Sequence, residues 1–249
     1  MSTDLTTTAI EGSEISVFNP DSDLRETMAS NFEAGESMRF SDLPKANFKS
    51  KPFSVKIGGA NKSLEYLEGI LVFRGASWSL WGDEDNQGGS LPFITSVDGI
   101  TGFQRGDDAG TLDVDLIEEH RTGDGTYDLR KLPYMKWEKS NGRNIPPRVK
   151  EYRHLCILPL DGIYPIHLQV PSTSIGIAKD FVRKLELPFY RTIVKIGLND
   201  AKSRDGKRSY FVIDPSVVGS ISAEEGKAVQ AAYTNPLKEA FRENVIGNN

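Results

Sequence analysis

Two stretches of the sequence combine cationic with aromatic side chains, the combination that holds single-stranded nucleic acid. Cations follow the phosphates while bases stack on aromatic faces, and each stack contributes about 1–3 kcal/mol. The stretches run from 131 to 153 and from 189 to 210, and an earlier tryptophan can join them. We predict a nucleic-acid-binding surface made of Trp78, Tyr134, Lys136, Trp137, Arg148, Lys150, Tyr152, Arg153, Phe189, Arg191, Lys195, Lys202, Arg204, Lys207, Arg208 and Tyr210.

The overall net charge of −5 conceals a strong division along the chain. Residues 131–215 carry 16 basic and 8 acidic side chains, net +8, whereas residues 82–130 carry 3 and 12, net −9. Salt screens distant charges beyond about 8 Å at physiological ionic strength, so a local excess can still attract phosphates. Four cations fall within 202–208, which is typical of a clamp on a nucleic-acid backbone and equally of an ordinary solvated hairpin.

Acidic residues offer a different chemistry between positions 107 and 119. Their carboxylates could bind a divalent ion through oxygen ligands, which leaves a metal-dependent nuclease as a weaker hypothesis. The spacing fits no Ca²⁺ loop, so a solvated charged loop is the favoured interpretation. The acidic residues concerned are Asp107, Asp108, Asp113, Asp115, Glu118 and Glu119.

Histidine and cysteine give little support for catalysis. His120, His154 and His167 are scattered without the spacing of a zinc site. Cys156 shares a strand parity with His154, yet a buried thiol acting as a small hydrophobe is favoured over a Cys–His nucleophile. The chain also lacks phosphate-binding glycine loops and a nucleophile elbow. We therefore predict a protein that is not an enzyme, with no catalytic residues, no metal and no cofactor.

Composition predicts a soluble, cytoplasmic protein. Hydrophobic residues make up 38% of the chain, and no apolar run approaches the length of about 18 residues that a membrane span needs. The Thr-rich start has neither the basic nor the apolar segment of a secretory signal. One cysteine excludes an internal disulfide framework and fits a reducing compartment.

The elements that must position these side chains are mainly strands. Period-two alternation and short apolar runs bounded by turn residues indicate these strands. The long strand predicted at 64–78 is expected to be bulged at Gly69 or Gly75. A helix over 175–185 is expected to place Ile177, Phe181 and Leu185 on one face. The strands are predicted at 53–57, 64–78, 149–158, 163–170, 189–198 and 209–213. On the strand 189–198, Thr192, Val194, Ile196 and Leu198 are expected to share the inner face, which sends Phe189, Arg191 and Lys195 outward.

This order of elements resembles the OB type of barrel, in which a helix lies between the third and fourth strands. We predict a mostly β, OB-fold-like β-barrel at 49–220, with an acidic insertion at about 82–130 that has little core of its own. An acidic, partly disordered arm with a short helix would occupy 1–48, including a linker at 40–48. A capping box at Ser222–Glu225 predicts a C-terminal helix, kinked or split at Pro236, within 221–249.

Short motifs over most of residues 23–242 carry a family resemblance. They are Asp23-Leu24-Arg25-Glu26, Asn31-Phe32, Phe40-Ser41-Asp42-Leu43-Pro44, Leu67-Glu68-Gly69-Ile70, Ser96-Val97-Asp98-Gly99-Ile100-Thr101-Gly102, Pro171-Ser172-Thr173-Ser174, Leu187-Pro188-Phe189-Tyr190 and Gly219-Ser220-Ile221-Ser222-Ala223-Glu224-Glu225. With them the chain resembles a family of phage- and mobile-element-encoded proteins that look like single-stranded DNA-binding proteins of replication modules. Many members carry a Cys-x-x-Cys-Pro element after the Asp-Gly-x-Thr-Gly stretch. This chain has no cysteine there, so the resemblance carries over no metal site.

Together these features predict sequence-tolerant binding of single-stranded DNA in phage or mobile-element replication or recombination. The host-cell cytoplasm is the expected location, with no membrane contact. RNA, replication or recombination proteins and a second copy of the chain are further partners that the sequence allows. The alternative is a non-catalytic structural or assembly adaptor whose basic face binds an acidic protein partner.

Overall fold

Strands dominate the computed structural model, which describes residues 39–47, 51–57, 59–82, 91–140, 143–203 and 206–247. About 41% of these residues lie in strands and about 28% in helices, which confirms the mostly β prediction. The predicted N-terminal tail and short helix lie outside the described residues. The strands are β1 (Lys45–Asn47), β2 (Phe53–Ile57), β3 (Ala60–Leu64), β4 (Leu67–Leu80), β5 (Ile94–Ser96), β6 (Thr101–Gln104), β7 (Tyr127–Asp128), β8 (Glu138–Ser140), β9 (Arg143–Ile145), β10 (Val149–Leu158), β11 (Ile166–Val170), β12 (Thr192–Lys202) and β13 (Ser209–Ser220).

One large sheet forms the framework. Its strands run in the order β3-β2-β1-β11-β10-β4-β5-β6-β7, and β12, paired with β13, joins the other end of β4. Within the described residues this sheet does not close on itself, so the predicted barrel is not seen there. β8 and β9 form a separate hairpin immediately before β10.

Four α-helices accompany the sheet within the described ranges: α1 (Val114–Glu118), α2 (Ile175–Arg183), α3 (Ala223–Val229) and α4 (Asn235–Ile246). The capping box is confirmed, since the Ser222 side chain accepts from the Glu225 N–H and the Glu225 carboxylate from the Ser222 N–H. The expected break precedes Pro236: a π-helical turn, Gln230–Thr234, separates α3 from α4. Pro236 then lies in the first turn of α4, where no backbone N–H is needed.

A bulge in β4 decides which side chains reach each face of the sheet. The register with β10 shifts between Cys156↔Phe73 and Ile157↔Leu71, so Val72 is the extra residue. Before the bulge, Leu71 faces the side covered by α2, and after it Phe73 faces the opposite side. The bulge was expected at Gly69 or Gly75, and that prediction was wrong. Gly69 is required for another reason: a Cβ there would lie 2.0 Å from the Leu158 carbonyl oxygen.

Two cores lie on opposite faces of this sheet. On the back face, Ile70, Phe73 and Cys156 pack against α3 and α4. On the front face, buried side chains of β4, β10, β11 and β12 pack under α2. The expected inner set of β12 is confirmed, and Thr192, Val194, Ile196 and Leu198 are all buried.

The front-face helix differs in one detail from its prediction. Ala178, Phe181, Val182 and Leu185 contact the front core, whereas Ile177 is exposed. The contact stripe of α2 is therefore rotated by one residue from the predicted 177–181–185 stripe. Ser174 does not cap the helix with its side chain, because its hydroxyl accepts a hydrogen bond from the Ile213 N–H.

Residues 91–135 build a third core, which corrects the expectation of an insertion with little core of its own. Leu112, Ile117, Tyr127 and Leu129 are buried against Leu80 at the end of β4. These apolar residues are far apart in an acidic stretch of the sequence, so no local pattern predicted that they form a core. The expected linker at 40–48 is also wrong in part, because Phe40 and Leu43 are buried in the back core and β1 pairs with β2 and β11.

A hydrogen-bonded chain of three polar side chains crosses the back core. His154 Nε2 lies 2.8 Å from Ser77 Oγ, and His154 Nδ1 lies 3.0 Å from His167 Nε2. The rings of Phe40 and Phe241 pack against these imidazoles, while His167 Nδ1 has no partner among the described residues. Burial lowers the pKa of His154 to about 4 and that of His167 to about 3, and the charge of Lys45 acts in the same direction on both.

These two imidazoles make stability depend on pH. Both are neutral in the folded protein, whereas an unfolded histidine titrates near pH 6.5, so their contribution is complete above about pH 6.5 and is lost as the pH falls toward 4. We expect the free energy of unfolding, measured with urea, to drop by about 1.4 kcal/mol per histidine for each pH unit between about 6.5 and 4. His154→Gln with His167→Gln should flatten that part of the profile, and His120→Gln should not. An unchanged profile in the double variant would contradict the assignment.

Candidate nucleic-acid interface

The front face of β4 is open between the front core and the third core. Because of the bulge, Arg74, Ala76 and Trp78 point to this face. Arg74 pairs with Leu155 of β10, and Ala76 and Trp78 pair with Arg153 and Glu151. We call this surface, with Lys179 of α2 and Phe189 at its margins, the β4 groove. Arg74 is exposed and the rest of the set is partly exposed, so the groove is accessible to a ligand.

Each end of the groove carries an arginine against an aromatic ring. The Arg74 guanidinium carbon lies 5.4 Å from the Phe189 ring centroid, and that of Arg153 lies 5.8 Å from the Trp78 ring. Ala76 separates the two pairs with only a methyl group. Guanidinium planes and aromatic rings both accept stacked bases, and the guanidinium also binds phosphate. The groove therefore presents the two chemistries that hold a single strand.

A carboxylate links the cations of the groove. Glu151 Oε1 lies 2.6 Å from Arg153 Nη2 and 2.8 Å from Lys179 Nζ. Burial alone would raise the pKa of Glu151, but hydrogen bonds from Lys179 and Arg153, together with their charges, outweigh it and lower the pKa. Glu151 is thus anionic at neutral pH. Arg74, by contrast, makes no ion pair with any described residue.

The loop after β5 holds the Trp78 ring in place. Gly99 has φ +73°, and a Cβ at this position would lie 2.9 Å from the ring. Burial tends to raise the pKa of Asp98, but the Ile100 and Thr101 N–H groups and the Ser96 hydroxyl donate to its carboxylate and lower the pKa overall. This ionised carboxylate fixes the turn that brings Gly99 against Trp78.

Of the predicted binding residues, the structure brings Trp78, Arg153 and Phe189 together in the groove. Phe189 was expected to point outward, but it packs at the edge of the front core beneath Arg74. Lys150 and Tyr152 pair with Ser79 and Ser77 and face the back of the sheet.

Two predicted groups lie on projecting hairpins. Trp137, 68% exposed, and the exposed Lys136 lie at the base of the β8–β9 hairpin. Lys202, Lys207, Arg208 and Tyr210 lie toward the tip of the β12–β13 ribbon, which pairs with β4 only through Ile193–Ile196. Arg204 lies outside the described residues. The cations predicted as one surface are thus divided: one lies in the groove, others lie on two separate hairpins, and Lys150 faces the back of the sheet.

Three predicted cations are held by contacts with other groups of the protein. Arg148 Nη2 donates to the Gly82 carbonyl at 2.6 Å, and its guanidinium lies over the Tyr134 ring. Arg191 Nε donates to the Ile221 carbonyl. The Lys195 Nζ atom lies 3.6 Å from the centroid of the Tyr66 ring and 3.6 Å from Glu68 Oε2. Arg148, Tyr134 and Arg191 therefore contribute to packing between elements.

The acidic stretch has local structural contacts. Asp113 caps α1 by accepting from the Leu116 N–H, and its own N–H donates to the Tyr134 hydroxyl. Glu118 accepts from Tyr127 and pairs with Arg121. In the described parts of the chain no three His, Cys, Asp or Glu side chains are placed to hold a metal ion. Cys156 is fully buried and burial raises the pKa of its thiol, as expected of a small hydrophobe.

Three charged groove residues were absent from the predicted set: Arg74, Glu151 and Lys179. Arg74 follows a continuous apolar run, so its face could not be assigned without the bulge. Lys179 lies 28 residues from Glu151 along the chain, and only the packing of α2 on the sheet brings them together. The spacing of Glu151 and Arg153 on one strand was the single local pattern that indicated the contact between these two side chains.

The comparisons with known proteins give no relative: no family model, no curated protein and no solved structure matches this chain. Within the part that the structure describes, no helix is long and apolar enough to cross a membrane.

The contact between Gly99 and Trp78 can be tested by substitution. Gly99→Ala places a Cβ against the ring and forces a residue with a side chain into positive φ, which costs about 1–3 kcal/mol. We expect a lower melting temperature and a shifted tryptophan emission spectrum. Gly59→Ala is the matched control, because Gly59 also has a positive φ of +82° but a Cβ there meets no atom within 4 Å. Equal effects of the two substitutions would show that the loop does not hold Trp78.

Proposed function

We propose that this protein binds single-stranded DNA, with little sequence preference, along the β4 groove. The observation that supports this most is the pair of arginine–aromatic contacts, Arg74 on Phe189 and Arg153 on Trp78, on one accessible face of the paired strands β4 and β10. Such contacts suit any base, because every base has a stacking face, and any sequence, because every nucleotide has a phosphate.

The groove has a suitable length for this role. Residues 74 to 78 span about 13 Å, at about 3.3 Å per residue, whereas stacked nucleotides of one strand are about 3.4 Å apart. More than one nucleotide can therefore contact the two arginines. The exposed Trp137 and the cations of the β12–β13 ribbon would extend the contact beyond the groove.

The wider role rests on the family resemblance. Replication or recombination of phage or mobile-element DNA, in the host cytoplasm and without catalysis by this chain, is the setting that the resemblance implies. The OB-type relationship belongs to the same proposal, supported by the position of α2 in the chain, between the β10–β11 and β12–β13 strand pairs. RNA, replication proteins and self-association remain parts of the proposal that binding experiments address.

The groove can be tested by removing its arginines. Arg74→Ala with Arg153→Ala should weaken binding to a fluorescent oligo-dT about tenfold at low salt and reduce the slope of log K against log salt by about 1.4, since each phosphate contact contributes about 0.7. Lys56→Ala with Lys62→Ala removes two exposed charges from β2 and β3 and is the matched control. Wild-type binding that is absent at low salt, or unaffected by salt, would refute the function.

Stacking and the ribbon are separable. Trp78→Ala should cost about 1–3 kcal/mol of binding free energy if a base stacks at this end of the groove.

Replacing Lys202, Arg204, Lys207 and Arg208 by Ala should flatten the salt slope without changing the quenching of tryptophan fluorescence by the oligonucleotide. If oligonucleotide leaves tryptophan fluorescence unchanged while an acidic polypeptide binds, the adaptor alternative is favoured.

A further inference from the structure

We propose that Glu151 is a built-in competitor of the nucleic-acid phosphate in the β4 groove. Its carboxylate occupies the anion position between Arg153 and Lys179 when the groove is empty, and a bound strand must displace it. This inference rests on the proposed function and adds to it a determinant of affinity. It also assigns Lys179, which no motif indicated, to the binding surface.

The geometry shows one carboxylate shared by two cations from different elements. Oε1 accepts from Arg153 Nε at 2.7 Å and lies 2.8 Å from Lys179 Nζ, while Oε2 lies 3.1 Å from the same ammonium nitrogen. Arg153 comes from β10 and Lys179 from α2. The pairing is therefore a tertiary contact, formed in the groove, between cations that would otherwise face each other without an anion.

A phosphate can replace this carboxylate because the two anions use the same donors. A guanidinium binds either one through its planar N–H groups, and an ammonium binds either one as a point charge. The side chains of Arg153, Glu151 and Lys179 are exposed by 27%, 26% and 35%, so a phosphate can reach them. Arg153 can remain against Trp78 while its anion is exchanged.

Partial exposure also keeps the exchange inexpensive in free energy. Solvent screens ion pairs at this level of exposure, and such pairs contribute little to stability. The carboxylate released from its partners can be hydrated again, since it is not deeply buried. Glu151 thus lowers affinity for every strand by a similar amount without blocking the groove.

The test is Glu151→Gln, which keeps the size of the side chain and removes its charge. Oligo-dT affinity at low salt should rise about tenfold, because phosphates no longer compete with a carboxylate for Arg153 and Lys179. The salt slope should change little, because the same two cations contact phosphates in both proteins. Asp180→Asn, on the same helix as Lys179 and at an exposed site paired with Arg183, removes one negative charge outside the groove. It should raise affinity much less and leave the slope unchanged. Thermal melting of both variants checks that the fold is retained.

The outcomes separate this inference from the function itself. If wild-type protein binds and Glu151→Gln matches Asp180→Asn or binds more weakly, then Glu151 is a structural ion-pair partner and the competitor assignment is overturned. If neither wild-type nor Glu151→Gln binds at low salt, the proposed function fails. Adding Lys179→Gln to Glu151→Gln should reduce the salt slope by about 0.7 and remove part of the gain in affinity. An unchanged slope and affinity in that double variant would exclude Lys179 from the site.

Discussion

The extra residue in β4 is the constraint on which the rest of the structure depends. Strand side chains alternate strictly, so one inserted residue exchanges the faces of every residue that follows. Leu67 and Leu71 enter the front core before Val72, and Arg74 and Trp78 follow them to the same face after it. Without the insertion, both arginine and tryptophan would point at α4, where an unpaired guanidinium would be costly to bury. The groove exists because β4 changes phase.

The C-terminal helices stabilise this change of phase. β12 occupies the outer edge of β4 at Leu67–Ile70 and β5 occupies it at Trp78–Leu80, which leaves the backbone between them without a strand partner on that side. The Thr234 hydroxyl, in the π-helical turn, donates to the carbonyl of Val72 at 2.7 Å. The widened turn before Pro236 therefore places a hydroxyl at the bulged residue. The helices that cover the back face in this way help to fix what the front face presents.

Much of this fold could be predicted from local patterns, and the exceptions have a common physical cause. The β10 strand was predicted residue for residue, and the inner face of β12 and the capping box of α3 were correct, because alternation and caps act over a few residues. The bulge was missed because Ile70-Leu71-Val72-Phe73 is apolar throughout, so a phase change leaves no mark on the sequence. The contact of His154 with His167 depends on the register of a hairpin whose connection, residues 159–165, is longer than the predicted turn. The face on which Arg74 lies depends on the bulge, and the place of Lys179 beside Glu151 depends on the packing of α2 on the sheet. Neither could be predicted from a local pattern.

Regional charge counting predicted a basic surface but did not predict where its cations lie in the fold. The excess of positive charge in 131–215 is divided among the groove, two hairpins and buried contacts such as that of Arg148 with the Gly82 carbonyl. In the groove itself, one carboxylate already offsets part of the positive potential, because Glu151 lies between Arg153 and Lys179. The positive potential available to a nucleic acid therefore depends less on the number of cations than on which cations have a partner that a phosphate can replace. Arg148 and Arg191 connect neighbouring elements by donating to backbone carbonyls, whereas Arg153 can exchange one partly exposed anion for another. This difference, rather than charge alone, is the reason why we propose the β4 groove as the binding surface.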